Sequence, residues 1–441
     1  MNRRTLASLL AAVVLTLPWI GSLWTNAVGV FPTLVTVAVS GLAVLGASFL
    51  LTWAAETAEK DVPRGFAIAV LAVLAVAPEY AVDALYAWNA GIFAGTARGI
   101  EAGNLAVANM TGANRILIGI GWAGIALFTV LRRGAAADPS VIIRDGFLAD
   151  TVSLDRDISL EIVFLLIATL WAFLVPLNGG IDVFDTVFLV SLYAAYILIV
   201  LRGDTEEKQA HVGVPASLQT FPKPYRVLTV LTLFTYSGLI IFTAVEPFAH
   251  GLEAIGKQIG VPAFFMIQWI APLASESPEL IVVLVLVTKG RSTAGFNALI
   301  SSKLNQWTLL IGTIAIVYSL GLGQYAPLSF NQKQAAEIWI TAAQSFFALG
   351  ILINFWISIR EAVLLFTLFL SQVIIEFLVV RDLVTLALSS YELLLIYTGV
   401  YIVLGLALFV LRRGAFAQIM QRTYATIARA VSPEMDSGST D

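Results

Sequence analysis

Apolar residues run along this chain in long blocks, and polar residues gather in the short gaps between them. Blocks of roughly 20 apolar residues match a helix that crosses the hydrocarbon of a bilayer. The pattern predicts twelve spans, at 5–25, 28–55, 64–90, 102–131, 158–177, 181–201, 227–248, 261–288, 293–322, 335–357, 361–380 and 387–411. The first follows MNRRT and has the outline of a signal peptide, but no small-residue cleavage site closes it, so it is kept as a helix.

Composition agrees with the blocks. Of 441 residues, 59% are hydrophobic and 12% charged, where a soluble domain carries about 25% charged residues. The chain has no cysteine, which excludes thiol chemistry and cysteine-metal sites. Its two histidines, His211 in a polar loop and His250 beside a span end, speak against a histidine-dependent intramembrane enzyme. With the N-terminus placed inside, 19 Lys and Arg fall on the inner side and 4 on the outer; Arg115 and Lys303 lie within spans. That asymmetry predicts twelve helices with both termini cytoplasmic. The polar stretch 203–225 reads as a linker that splits the chain in two. After Gly414 a short amphipathic helix on the inner surface is expected, then a disordered tail.

Carboxylates interrupt the apolar pattern where they should cost most. ASESPELIV at 274–282 places Glu276 and Glu279 inside a span, and Glu79 and Asp83 lie inside another. A charge at the centre of a spanning helix costs about 2.5 to 3.5 kcal/mol even on insertion scales, so these acids need a role. They also repeat. VPRGFAIAVLAVLAVAPE at 62–79 parallels VPAFFMIQWIAPLASESPE at 261–279. In the helices that follow, Asn109 precedes Arg115 by six residues, and Asn297 precedes Lys303 by six. Spans two to six and seven to eleven then form two five-helix copies, and an odd helix number inverts the second copy. Inverted repeats are a transporter architecture with the site at the midplane. Pro78 and Pro278 are expected to break their helices and free carbonyls toward a cavity.

Pro-Glu in the second helix of each inverted five-helix copy resembles the cation/calcium antiporter superfamily, the sodium/calcium exchangers and their cation/proton relatives. The motif of that superfamily is Gly-Thr-Ser-x-Pro-Glu, followed by a helix with Gly-Asn-x-x-Gly-Ser-Asn. Here Ala274-Ser275-Glu276-Ser277-Pro278-Glu279 keeps Pro, Glu and a nearby hydroxyl, while Leu74-Ala75-Val76-Ala77-Pro78-Glu79 keeps Pro and Glu alone. Asn109-Met110-Thr111-Gly112-Ala113-Asn114 follows the asparagine motif, and Ser301-Ser302-Lys303 follows it loosely. The resemblance covers residues 28 to 380.

It implies an all-α polytopic membrane protein made of two inverted repeats plus an extra helix at each end. The expected partition is an extra helix at 1–26, repeat 1 at 27–202, a cytoplasmic linker at 203–226 and repeat 2 at 227–383. A second extra helix at 384–412 and a cytoplasmic tail at 413–441 complete it. The implied function is secondary antiport of a metal cation for a proton or sodium ion by alternating access. Its partners are inorganic cations and the bilayer, with no nucleic acid, no enzymatic activity and no cofactor beyond transported Na+, Ca2+ or H+. A plasma-membrane location follows.

Glu79 and Glu279 are the expected central ligands, with Asp83, Glu276, Ser275, Asn109 and Asn297 around them. Thr111, Asn114, Thr293, Ser301 and Asn305 supply further neutral oxygens, each equally suited to helix packing. Arg115 and Lys303 are read as charge-compensating. Four acids against two bases leave two negative charges, which one divalent or two monovalent cations balance. Alternatively the bases stand as built-in counter-ions where characterised exchangers bind sodium, or merely brace the helices by pairing with carboxylates. On either reading each is expected to pair, pseudo-symmetrically, with an acid of the Pro-Glu helices. Glu376, one turn after Gln372, is either an outer gate or a packing contact. Two other readings remain, a transport-inactive scaffold or sensor and an intramembrane enzyme; the latter lacks a nucleophile or histidine beside the glutamates. No nucleotide-binding loop is present, so a gradient supplies the energy.

Overall fold

The structure, a computed structural model, describes residues 3–25, 30–61, 76–132, 138–202, 212–384 and 388–431. Its helices are α1 (Arg3–Trp24), α2 (Thr33–Ala58), α3 (Ala77–Ile92), α4 (Ala97–Ile116), α5 (Ala123–Leu131), α6 (Ser159–Ala172), α7 (Val183–Arg202) and α8 (Val214–Leu218). The second half continues with α9 (Lys223–Ile259), α10 (Ala263–Thr288), α11 (Ser292–Asn305), α12 (Ile311–Leu322), α13 (Gln332–Leu352), α14 (Ile359–Val380), α15 (Ser390–Leu411) and α16 (Arg413–Val431). Among the described residues, eleven helical stretches are long and apolar enough to cross a bilayer. The span expected at 64–90 lies partly outside the described residues; its remainder is α3.

Two details change the span list. The span expected at 227–248 belongs to a 37-residue helix, α9, which ends on a left-handed Gly260. Two spans are each built from an α-helix, a π-helical segment and a second α-helix: α4, Leu117–Trp122 and α5, then α11, Gln306–Leu310 and α12. Such π segments shift the backbone ladder by one residue and recur at functional sites.

Short β ladders tie the loops together. β1 (Val141–Ile142), β2 (Thr151–Ser153) and β5 (Trp356–Ser358) form one sheet, and β3 (Gly180–Ile181) pairs with β4 (Leu328–Ser329). Alternate crossing by successive spans puts β1, β2 and β5 on one face of the bundle and β3 and β4 on the other. Each ladder therefore joins loops that share a face. Asp138 strengthens the first: it accepts from Ser140 at 2.7 Å and from the Ser292 hydroxyl at 2.6 Å, tying this loop to the start of α11. Burial pushes the Asp138 carboxyl up, but the bonds from Ser292 and Ser140 outweigh it and hold the group below its usual range. The amphipathic helix expected after Gly414 is α16, which buries Ile419 and Thr423 and donates from Thr423 to the Ser159 carbonyl.

Candidate functional site

The two Pro-Glu segments differ in backbone. In α3, Pro78 stands in the first turn, where its missing N–H leaves no helical bond unmade, and Glu79 follows it near the positive end of the helix dipole. Residues 62–75 lie outside the described residues; α3 begins at Ala77, after Val76. In α10 the expected break at Pro278 is corrected: the helix runs unbroken through Pro272 and Pro278. Spanning helices tolerate proline because hydroxyls and neighbouring helices satisfy the backbone groups it releases. Ser275 donates toward the Pro272 carbonyl at 3.3 Å, and the Ser277 hydroxyl donates to the Leu273 carbonyl. Each proline still removes the bond to the carbonyl four residues earlier, releasing those of Gln268 and Ala274.

Around these segments the structure gathers the sequence-predicted acids. Glu79, Asp83 and Glu276 are buried, and Glu279 is partly buried. The Ser275 hydroxyl lies beside the Glu79 carboxylate, and the charges of Glu276 and Glu279 reach Glu79. Asn109 donates to Asp83 at 3.0 Å. One turn at the end of α11 and the start of its π segment serves the others. Ser302 donates to Glu279 at 2.9 Å, and Gln306 donates to Glu276 at 2.6 Å. Lys303 points from the same turn to α4, where its ammonium donates to Asn114 Oδ1 at 3.0 Å. Tyr80 donates to Asn305 at 2.9 Å.

Among the described residues, four buried oxygens of this cluster have no hydrogen-bond partner, Glu79 Oε1, Asp83 Oδ2, Asn109 Oδ1 and Gln306 Oε1, and Asn297 Oδ1 on α11 is likewise unpartnered. A buried acceptor left unmade costs about 1 to 3 kcal/mol, and hard cations take such oxygens as ligands. The donor set fits a hard cation as cargo. Among the described residues, no group of three or more acids or histidines is spaced to hold a metal ion as it stands. Thr111 and Thr293 turn away, to the Val107 and Ser153 carbonyls.

Arg115 is the second correction. It does not pair with an acid of the Pro-Glu helices; its partner is Glu337 on α13, at 2.6 Å, with both side chains buried. Lys303, expected to pair in the same way, makes no ion pair among the described residues and donates to Asn114 instead. Glu337 also accepts from Gln268 at 2.9 Å, while Arg115 donates to Gln372 at 3.0 Å and lies 4.6 Å from the Trp269 ring centroid. Gln372 donates onward to Glu376 at 2.6 Å, and Lys333 reaches Glu376 at 3.2 Å. Two bases and two acids thus close a neutral network across α4, α10, α13 and α14. Glu337, Gln268 and Lys333 were not foreseen: Arg115 and Glu337 stand 222 residues apart in sequence, and no local pattern marks such a pair.

A many-spanned helical bundle with carboxylates and unpartnered oxygens on interrupted or proline-bearing helices defines a membrane cation transporter. The sodium/calcium exchanger protein family matches residues 32–202 and 229–420, and the chain belongs to that family. Its members are transporters, not enzymes, and this chain is a cation antiporter. A crystal structure of an H+/Ca2+ exchanger, CAX, is similar over 98% of this chain and 100% of its own, at 43% identity and a TM-score of 0.84. The native YfkE structure shares the fold at 15% identity and a TM-score of 0.57, over 85% of this chain and all of its own. No curated protein sequence matched.

Proposed function

We propose that this antiporter exchanges calcium for protons across the plasma membrane, by alternating access at a cluster centred on Glu79 and Glu279. The observation that carries the reading is the set of four unpartnered oxygens in and beside the four carboxyls, a donor set suited to calcium and to protons alike. Similarity to the H+/Ca2+ exchanger CAX supports the choice of ions. Ser275, Asn109 and Asn297 complete the ligands, and Asp83 and Glu276 hold or release protons as the ion comes and goes.

With Arg115 neutralised by Glu337, four carboxylates face Lys303 alone, leaving three negative charges rather than two. One calcium ion with one proton neutralises them. The matched Pro-Glu helices are read as inverted repeats that rock around this site, with both termini cytoplasmic. In proteoliposomes with imposed pH, sodium and calcium gradients, a proton gradient should drive calcium uptake without sodium. Calcium flux that ignores the pH gradient would overturn the reading.

A further inference from the structure

We infer that Lys303 fills a monovalent-cation site inside the acid cluster, so that its tethered ammonium takes the place of a mobile alkali ion. The inference rests on the cluster being the transport site and adds what that site refuses. The Lys303 side chain is fully buried. Its ammonium donates to Asn114 Oδ1 at 3.0 Å and toward the Asn114 backbone carbonyl at 3.4 Å, and it lies 4.8 Å from the Trp307 ring centroid. Asn114 Nδ2 donates to the Met110 carbonyl at 2.9 Å, which fixes the amide with its oxygen toward the lysine. Amide oxygen, backbone carbonyl and aromatic face are ligands for a singly charged cation, and carbonyl oxygens hold alkali ions in selective pores.

A lysine that merely braced the helices would take a carboxylate, as Arg115 takes Glu337. Carboxylates lie nearby, yet Lys303 makes no ion pair among the described residues. Glu276 takes its hydrogen bond from Gln306 and Glu279 from Ser302, and the charge of Glu276 reaches Lys303 without a direct bond. The ammonium therefore supplies one positive charge on neutral ligands, next to the acids it balances. The Asn114 carbonyl lies in the turn where α4 passes into its π segment, and Lys303 lies just before the matching segment at Gln306. Both ladder shifts thus flank this one pocket.

The test is thermal unfolding of detergent-purified protein titrated with sodium chloride against choline chloride, for wild type, Lys303→Met and Lys303→Gln. Both variants should gain a saturable, sodium-dependent rise in Tm, with sodium affinity at least about tenfold above wild type, whose curve should stay flat. In proteoliposomes the variants' calcium flux should become sodium-dependent. Unfolding curves that ignore sodium in both variants would overturn the inference, as would variants that fail to accumulate even in sodium. Calcium binding by the wild type is read separately, so a wild type that ignores calcium sinks the transport reading while the sodium response still decides this one.

Discussion

Arg115 and Lys303 each stand six residues after an asparagine, yet Arg115 is clamped to Glu337 at 2.6 Å while Lys303 rests on the neutral oxygens of Asn114. The arginine lies in a network whose charges cancel: Arg115 and Lys333 against Glu337 and Glu376. The lysine lies among acids that outnumber it. The Arg115 network also leaves buried oxygens unpartnered, Glu337 Oε1 and Gln268 Oε1, but its acids are matched by bases, whereas the acid cluster keeps an excess of carboxyls beside its free oxygens. On the proposed reading, the two bases matched by sequence spacing serve different uses, one to hold helices together and one to set the charge of the ion site.

The sharpest break in this comparison is between acids. Glu279→Gln should reduce calcium flux in proteoliposomes to background while expression and monodispersity persist, because the amide keeps shape but loses the charge that competes with water for the ion. Glu376→Gln, on the neutral side, should keep most of its flux. Equal losses would merge the two regions into one functional unit.

Next comes stability. Arg115→Leu leaves Glu337 buried and unpaired and should cost about 3 to 5 kcal/mol, seen as a large drop in Tm. Adding Glu337→Leu should recover most of it, since removing both charges removes the uncompensated one. A smaller effect is expected between the regions, where α4 meets α10. A Cβ on Gly112 would fall 1.8 Å from the Gln268 carbonyl oxygen, the one that Pro272 releases. Gly112→Ala should force these helices apart at about 1 to 3 kcal/mol, and an unchanged Tm would deny the close approach.

The smallest effect lies outside the bilayer. Because the folded Asp138 carboxyl sits below its usual range, its stabilisation is present above the unfolded carboxylate range and is lost as pH falls through the folded value. Asp138→Asn should cost about 1 kcal/mol at neutral pH, as for a lost helix cap, and should flatten the acid limb of a Tm-against-pH curve.

Much of this was legible because long apolar blocks report spans directly, and because Pro-Glu and the spaced asparagines recur. The acids and Lys303 announced themselves by depth alone. What stayed hidden was relational. Nothing near Arg115 in sequence points to Glu337 or Gln372, so its partner was assigned to the wrong helices. Gln268 and Gln306 carry no charge to flag them. The β strands are two or three residues long, below any periodic signal. Pro278 signalled a break that Ser275 and Ser277 instead help the helix absorb.

The most direct test of the central claim is a structure determined in strontium or barium, read by anomalous scattering as a stand-in for calcium. The account predicts a single strong peak within coordination distance of both the Glu79 and Glu279 carboxylates, with none beside Arg115, Glu337 or Glu376. A peak in the Arg115 network, or Glu79 and Glu279 carboxyls more than about 15 Å apart, three turns of helix pitch, would contradict it.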